Sequence, residues 1–199
     1  MCQSFLQPTL DLLQIPPHYL NISNYVAGST EAGPGNRAVI SMQGCLRHCV
    51  DCVNPDARSF SINQLISIDS LAKKILSNPH HTGVTICGGE PFWQAPTLTQ
   101  LAHQLRSAGL NIIVITGFRL EQLHSTYGPA GAVEFLKEID LLIDAHPVQS
   151  DPTEQHIHLL NPNVLGFEMI NQVNWDQVSL LTMFQHGLAD KHNAPVPTM

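Results

Sequence analysis

Residues 110–117 read "LNIIVITG". A strand with one face in water alternates apolar and polar residues, whereas a run that is apolar at successive positions is buried on both faces. Such strands belong to parallel sheets covered by helices. The stretches on either side carry the same message. "GVTICGGEP" (83–91) is a strand running into a glycine turn, "DLLIDAH" (140–146) is a third strand, and "RAVISM" (37–42) is a short buried strand that ends at a group of cysteines. Helical patterns separate them. "IDSLAKKILSNP" (68–79) spaces Leu71, Ile75 and Leu76 helically and stops at Asn-Pro. "APTLTQLAHQLRSAG" (95–109) puts Leu98, Leu101 and Leu105 on one face, with Gly109 as a C-terminal cap, and "AVEFLKEI" (132–139) is a short helix. Alternating strands and helices predict an α/β fold with a parallel sheet. Functional residues of such sheets gather at the carboxyl ends of the strands. The cysteines, "GGEP", "TGF" and "DAHP" all sit at those ends. Beyond about residue 150 the pattern weakens.

Composition narrows the function. The chain has 199 residues, 43% of them hydrophobic, which suits one globular domain. Its net charge is -7 with nine Lys+Arg and no basic run, against a nucleic-acid or acidic-membrane surface. The N-terminus lacks the basic and apolar regions of a secretory signal, and no apolar run is long enough to span a bilayer. A cytoplasmic, reducing location is therefore expected. Clustered cysteines there bind metal or act chemically more often than they form disulfides.

Three of the five cysteines, Cys45, Cys49 and Cys52, form a C-x3-C-x2-C group. Arg47, His48 and Asp51 lie among them, so this is not a core strand. A zinc site wants a fourth ligand, and His48 lies too close between two cysteines to close the same tetrahedron easily. Of the other thiols, Cys2 is in the terminal segment and Cys87 is inside a strand, where it reads as a core residue. A dithiol redox pair lacks a thioredoxin-like surround. An iron–sulfur cubane fits best. Three thiolates leave one iron without a protein ligand, where a small molecule can chelate.

This spacing is the signature of the radical S-adenosylmethionine (SAM) enzymes, and the resemblance extends past the cysteines. "EAGPGNRAVISMQGC" (31–45) resembles the entry segment of the glycyl-radical-enzyme activases, roughly D-G-P-G-x-R followed by a strand and G-C. "CVNP" (52–55) is similar to the C-x-N-P that closes their cluster loop, and "GGEP" (88–91) to their GGE motif. "TGF" (116–118) with the following "RLEQL", and "IDLLIDAHPVQSD" (139–151), are most similar to segments of the anaerobic ribonucleotide reductase activating protein. The resemblance covers roughly residues 20–152. It implies a partial, open parallel βα barrel of the radical SAM type. The domain expected is a single one over 1–199, with a flexible tail from about 188.

For the site, the resemblance implies a [4Fe-4S] cluster on Cys45, Cys49 and Cys52, which are both metal ligands and the catalytic centre. SAM would chelate the open iron. Gly88, Gly89, Glu90 and Pro91 would receive its ammonium group, Glu90 as an acceptor or as the residue ordering the turn. Glycines without Cβ atoms let backbone approach a ligand closely. Thr116 and Gly117 would lie beside SAM, although a strand-end hydroxyl is as often a local cap. Asp144 would sit near the methionyl or ribose region. It interrupts an apolar strand, and a buried carboxylate must be paired or liganded. His146 follows on the same face; His156 and His158 read as loop residues. The Gly33–Pro34–Gly35 turn would belong to the active-site face, and Arg37 is either structural or a partner contact.

The implied activity is reductive cleavage of SAM to methionine and a 5'-deoxyadenosyl radical, which abstracts one hydrogen atom. The partner the resemblance implies is a glycyl radical enzyme, specifically an anaerobic ribonucleotide reductase, with an external electron donor such as flavodoxin or ferredoxin. The alternatives are another small radical SAM enzyme acting on a small molecule or peptide, and a non-catalytic iron–sulfur or zinc-binding electron-transfer or interaction protein. Two departures bear on this choice. Asp51 stands where many radical SAM enzymes have an aromatic residue, and "GFEMINQ" (166–172) keeps only the Asn-Gln of the activases' Gly-Ser-x-Asn-Gln.

Overall fold

The computed structural model describes residues 15–47, 49, 52, 54–145 and 155–161. Among the described residues, seven strands form one sheet: β1 (Tyr19–Ser29), β2 (Arg37–Met42), β3 (Gln64–Ser67), β4 (Gly83–Gly88), β5 (Asn111–Thr116), β6 (Leu141–Ala145) and β7 (Gln155–Leu159), in the order β3-β1-β2-β4-β5-β6-β7. The expected strands β2, β4, β5 and β6 are present and mutually parallel. Their connections carry α1 (Ile68–Leu76), α2 (Ala95–Ser107), α3 (Leu120–His124) and α4 (Ala132–Leu136).

The sheet is open, and its flanks are antiparallel: β1 to β2, β3 to β1, and β7 to β6. The expected parallel barrel is thus narrowed to four parallel strands in an open sheet, compatible with an open fold but not closed. The 30–36 connection is too short for a crossover helix, so β1 and β2 must pair antiparallel. His156 and His158 lie on β7 rather than in a loop. His146, Asp51, "GFEMINQ" and the terminal segments lie outside the described residues. Among the described residues, no helix is long and apolar enough to cross a membrane.

Successive residues of the apolar strands serve opposite faces. Ile40, Ile86, Ile112, Val114 and Leu142 pack with Leu71, Ile75, Leu98, Leu101, Leu105 and Phe135 of the helices. Val39, Cys87, Ile113, Ile115 and Ile143 pack on the other face with Ala32. Cys87 is the expected core thiol, and burial pushes its pKa up to about 12. Gly109 follows α2 at φ +88, the left-handed cap read from the sequence.

The amino-terminal edge of the parallel strands is locked by Arg37, which is fully buried. Its Nε donates to Thr85 Oγ1 (2.8 Å), Nη1 to Asn111 Oδ1 (2.5 Å) and to the Pro34 carbonyl (3.2 Å), and Nη2 to the Val84 carbonyl (2.7 Å) and the Asn111 carbonyl (3.2 Å). Arg37 is therefore structural: it ties β2, β4 and β5 together. Burial works against its charge and lowers its pKa, while the Asp140 carboxylate opposes that shift. The Gly33–Pro34–Gly35 turn is anchored at the same edge. Gly35 has φ +78, and a Cβ there would fall 2.1 Å from Thr82 Oγ1. The turn thus lies at the end of β2 opposite the cysteines.

Arg37→Leu should cost about 3 kcal/mol, because it leaves several buried acceptors unpaired; urea unfolding of the protein will measure it. Asp140 gives a prediction in pH. Its Oδ2 accepts from Ile112 N at 2.8 Å and its Oδ1 faces Arg106 Nη2 at 3.4 Å, yet burial outweighs these and raises its pKa above 3.8. The folded state then holds this proton more readily than the unfolded chain, so the Asp140 contribution to stability falls as pH rises above 3.8 through the folded value. Asp140→Asn should therefore gain stability relative to wild type across that window, seen in urea midpoints measured against pH.

Candidate functional site

The opposite, carboxyl edge of the sheet holds most of the motif residues. The chain leaves β2 at Gln43 and Gly44, and both are pinned. Gln43 Nε2 donates to the Ser59 carbonyl at 2.6 Å, and its own carbonyl accepts from Gln94 Nε2 at 3.1 Å. Gln94 also exchanges two bonds of 2.9 Å with the Asn21 backbone, so one buried amide joins β1 to the root of the cysteine loop. Gly44 N donates to the Ala57 carbonyl (2.8 Å) and Cys45 N to the Arg58 carbonyl (3.0 Å), both from the 3-10 turn Pro55–Arg58. The Gly44 carbonyl accepts from Glu90 N at 2.8 Å, which brings in the end of β4.

Glu90 is 1% exposed and orders the turn. Its Oε1 accepts from Thr116 Oγ1 (2.7 Å) and Phe92 N (3.2 Å), and its Oε2 from Gly117 N (2.8 Å). Burial raises its pKa, opposed by those three donors and by the Arg47 charge. Thr116 Oγ1 in turn accepts from Phe118 N at 3.0 Å. Pro91 opens the buried 3-10 turn Pro91–Gln94, for which Glu90 is the N-cap.

The two glycines of the motif face protein. Gly88 has φ +96, and a Cβ there would fall 2.6 Å from Met42 N; at Gly89 it would fall 2.5 Å from the Gly44 carbonyl oxygen and 3.0 Å from that of Ala57. Backbone thus fills the space that a side chain at either position would need. Asp144 pairs in register with Thr116, one strand further along. It is buried, and its Oδ2 accepts from His158 Nε2 at 2.8 Å and from Leu120 N at 3.3 Å. The carboxylate expected to be paired or liganded is paired, with a histidine that the sequence reading left unassigned.

Cys45, Cys49 and Cys52 are all free thiols of intermediate exposure. Cys45 Sγ accepts from Arg47 N at 3.4 Å. Its pKa is pushed up to about 11, chiefly by burial, with the Glu90 and Cys49 charges adding to it and the Arg47 amide and charge opposing. Among the described residues, no three His, Cys, Asp or Glu side chains are gathered as a metal-ligand set. The donors themselves fit an iron–sulfur cluster: three free thiols come from one loop, its root is rigid, and Cys45 and Cys49 are close enough to feel each other's charge. A cationic centre reverses the penalty that keeps Cys45 protonated.

Sequence reasoning missed an aromatic group beside this loop. Phe118 meets Trp93 edge-on at 5.7 Å, and Trp93 meets Phe60 at 6.4 Å. It also missed the amides of Gln43, Gln94 and Asn21. The only signal is position: Gln43 directly precedes "GC", and Gln94 follows "GGEP" by three residues.

Residues 32–161 match the family described as "4Fe-4S single cluster domain". The pyruvate formate-lyase-activating enzyme of Staphylococcus epidermidis (strain ATCC 12228 / FDA PCI 1200) is 37% identical over 95 residues, covering 44% of this chain and 37% of that protein. The enzyme of the same name from Staphylococcus aureus (strain USA300) is 31% identical over 148 residues, covering 69% of this chain and 57% of that protein. The chain therefore spans less than two thirds of the length of either relative.

Gly89→Ala should disturb the cysteine loop itself. Its methyl group must displace backbone at Gly44 and Ala57, a strain of about 1–3 kcal/mol. The expected outcome is a lower urea midpoint of the metal-free protein together with poor iron and sulfide uptake. An unchanged midpoint would show that the turn has room for a side chain after all.

Proposed function

The chain belongs to the 4Fe-4S single cluster domain family, within the radical SAM enzymes, and we propose that it is a glycyl-radical-enzyme activase whose [4Fe-4S] cluster is held by Cys45, Cys49 and Cys52. The observation that supports this reading is that Cys45, Cys49 and Cys52 are free thiols and that the root of their loop, at Gly44, is bonded to the buried Glu90 turn at the carboxyl end of the parallel strands. When bound, the cluster with SAM supplies one-electron cleavage of the SAM carbon–sulfur bond and hydrogen-atom abstraction from the partner.

The protein's own residues supply placement. The Gly44–Glu90 bond fixes where the cysteine loop begins. Glu90 holds Thr116 and Gly117 beside that loop. Its burial, with that of Thr116, keeps water from the floor of the site. Gly88, Gly89 and Pro91 shape the turn by backbone packing, so their part in SAM binding is to present backbone carbonyls at that edge. Asp144, fixed by His158 and the first amide of α3, limits the site on the β6 side.

Two partners follow from different observations. The relatives are named for pyruvate formate-lyase. "TGF" and "IDLLIDAHPVQSD" instead resemble the anaerobic ribonucleotide reductase branch. One experiment separates them. Anaerobically reconstituted protein should hold about four irons and four sulfides. Ala at any one of Cys45, Cys49 or Cys52 should abolish this, and Cys87→Ala should not. The loaded protein is then mixed with SAM, dithionite and either reductase or lyase from the same cell. A glycyl-radical doublet in electron paramagnetic resonance is expected with one of them. SAM cleavage without any protein radical would favour a small-molecule or peptide substrate. Tightly bound zinc without sulfide would remove the reading.

A further inference from the structure

The cysteine loop carries a cation for which the reading above has no task. Arg47 lies two residues after Cys45, and its side chain reaches across to the end of β5. Its guanidinium carbon is 5.5 Å from the centroid of the Phe118 ring. A Cβ built on Gly117 would fall 2.3 Å from Arg47 Nε and 2.5 Å from its Cδ. Gly117 thus leaves a space, and the arginine fills it. Phe118 is itself fixed, by Trp93 edge-on at 5.7 Å and by its amide on Thr116 Oγ1. The Arg47 amide donates to Cys45 Sγ at 3.4 Å. One residue therefore touches the first cysteine through its main chain and the β5 turn through its side chain.

We propose that Arg47 is a positioning residue that clamps the cysteine loop to the turn at Gly117 and Phe118 and, by its fixed charge, stabilises the electron added when a [4Fe-4S] cluster on that loop is reduced. The proposal rests on the reading of Cys45, Cys49 and Cys52 as cluster ligands. Reduction takes one electron from a low-potential donor, which is oxidised by one electron. No bond forms or breaks at Arg47, and no proton moves. A cluster on three thiolates becomes more negative by one unit, and a neighbouring cation lowers the energy of that state. Lysine is a partial substitute only: it keeps the charge but loses the guanidinium's contact over the Phe118 ring.

The test uses full-length wild type, Arg47→Gln, Arg47→Lys and Gly117→Ala. Each is reconstituted anaerobically, assayed for iron and sulfide, and titrated with dithionite while the reduced cluster is followed by electron paramagnetic resonance. Full clusters are expected throughout, with a reduction equilibrium about tenfold less favourable in Arg47→Gln, which is about 59 mV for a one-electron couple. Arg47→Lys should fall less. Gly117→Ala keeps the arginine but pushes its guanidinium off the turn, so its potential should fall as well. A full cluster at the wild-type potential in Arg47→Gln overturns the proposal. Where Arg47→Gln does not load, the loaded Gly117→Ala decides: a lowered potential supports the clamp and a wild-type potential overturns it. Wild-type protein that takes up no iron and sulfide overturns the cluster reading instead, which keeps the two failures apart.

Discussion

A single buried carboxylate holds the carboxyl edge together. Glu90 takes three donors from two directions, Thr116 and Gly117 at the end of β5 and Phe92 in its own turn, while its amide bonds the Gly44 carbonyl after β2. Burying a carboxylate is expensive, and charge-assisted hydrogen bonds are what offset the cost. The arrangement is therefore close to all-or-none, because losing one donor strands part of a charge with no water to replace it. Three neighbouring strand ends, including the one that starts the cysteine loop, are set by this one group. Pre-organising the loop in this way removes conformational freedom before any ligand arrives.

The two edges of the sheet solve the same problem with opposite charge. At the amino edge Arg37 donates five bonds to groups on or beside β2, β4 and β5. At the carboxyl edge Glu90 accepts. Both need close backbone approach around them, and glycines supply it: Gly83 against the Arg37 guanidinium, and Gly88 and Gly89 against β2 and the loop root. A motif glycine that looks like a ligand contact in sequence can thus be a strand-packing contact that positions the ligand's surroundings.

The sequence was most legible where burial dictates composition. The strands β2, β4, β5 and β6 and the helices α1 and α2 were readable because their apolar residues recur with the period of the element. The strand β1 was not. Leu20 and Ile22 begin an alternation, but register shifts between Ile22 and Asn24 and between Val26 and Ser29 break it. β3 is four residues long, and β7 carries two histidines on a flanking strand that needs no apolar run on both faces. In the site, the identities of the motif residues were visible while their bonds were not. Asp144, a carboxylate in an apolar strand, needs a partner, but nothing local points to His158, fourteen positions on and brought close only by the β6–β7 pairing. In sequence, Arg47 shows only that its segment is not a core strand. Its contact with Phe118 depends on β2 and β5 ending at the same level, a property of the sheet and not of either segment.

The state of Cys45 also bears on which chemistry the loop is built for. A thiol meant to attack a disulfide or a substrate directly is activated by a lowered pKa, through exposure, a helix N-terminus or a dominant cation. Burial drives Cys45 the other way, to about 11, and Glu90 and Cys49 push in the same direction. Arg47 opposes this without overcoming it. Such a thiol is a poor nucleophile at neutral pH, yet it is a sound ligand, because a bound cationic centre takes over the stabilisation of the thiolate. The features that count against a dithiol redox site are thus the ones that suit a loop closing around a metal cluster.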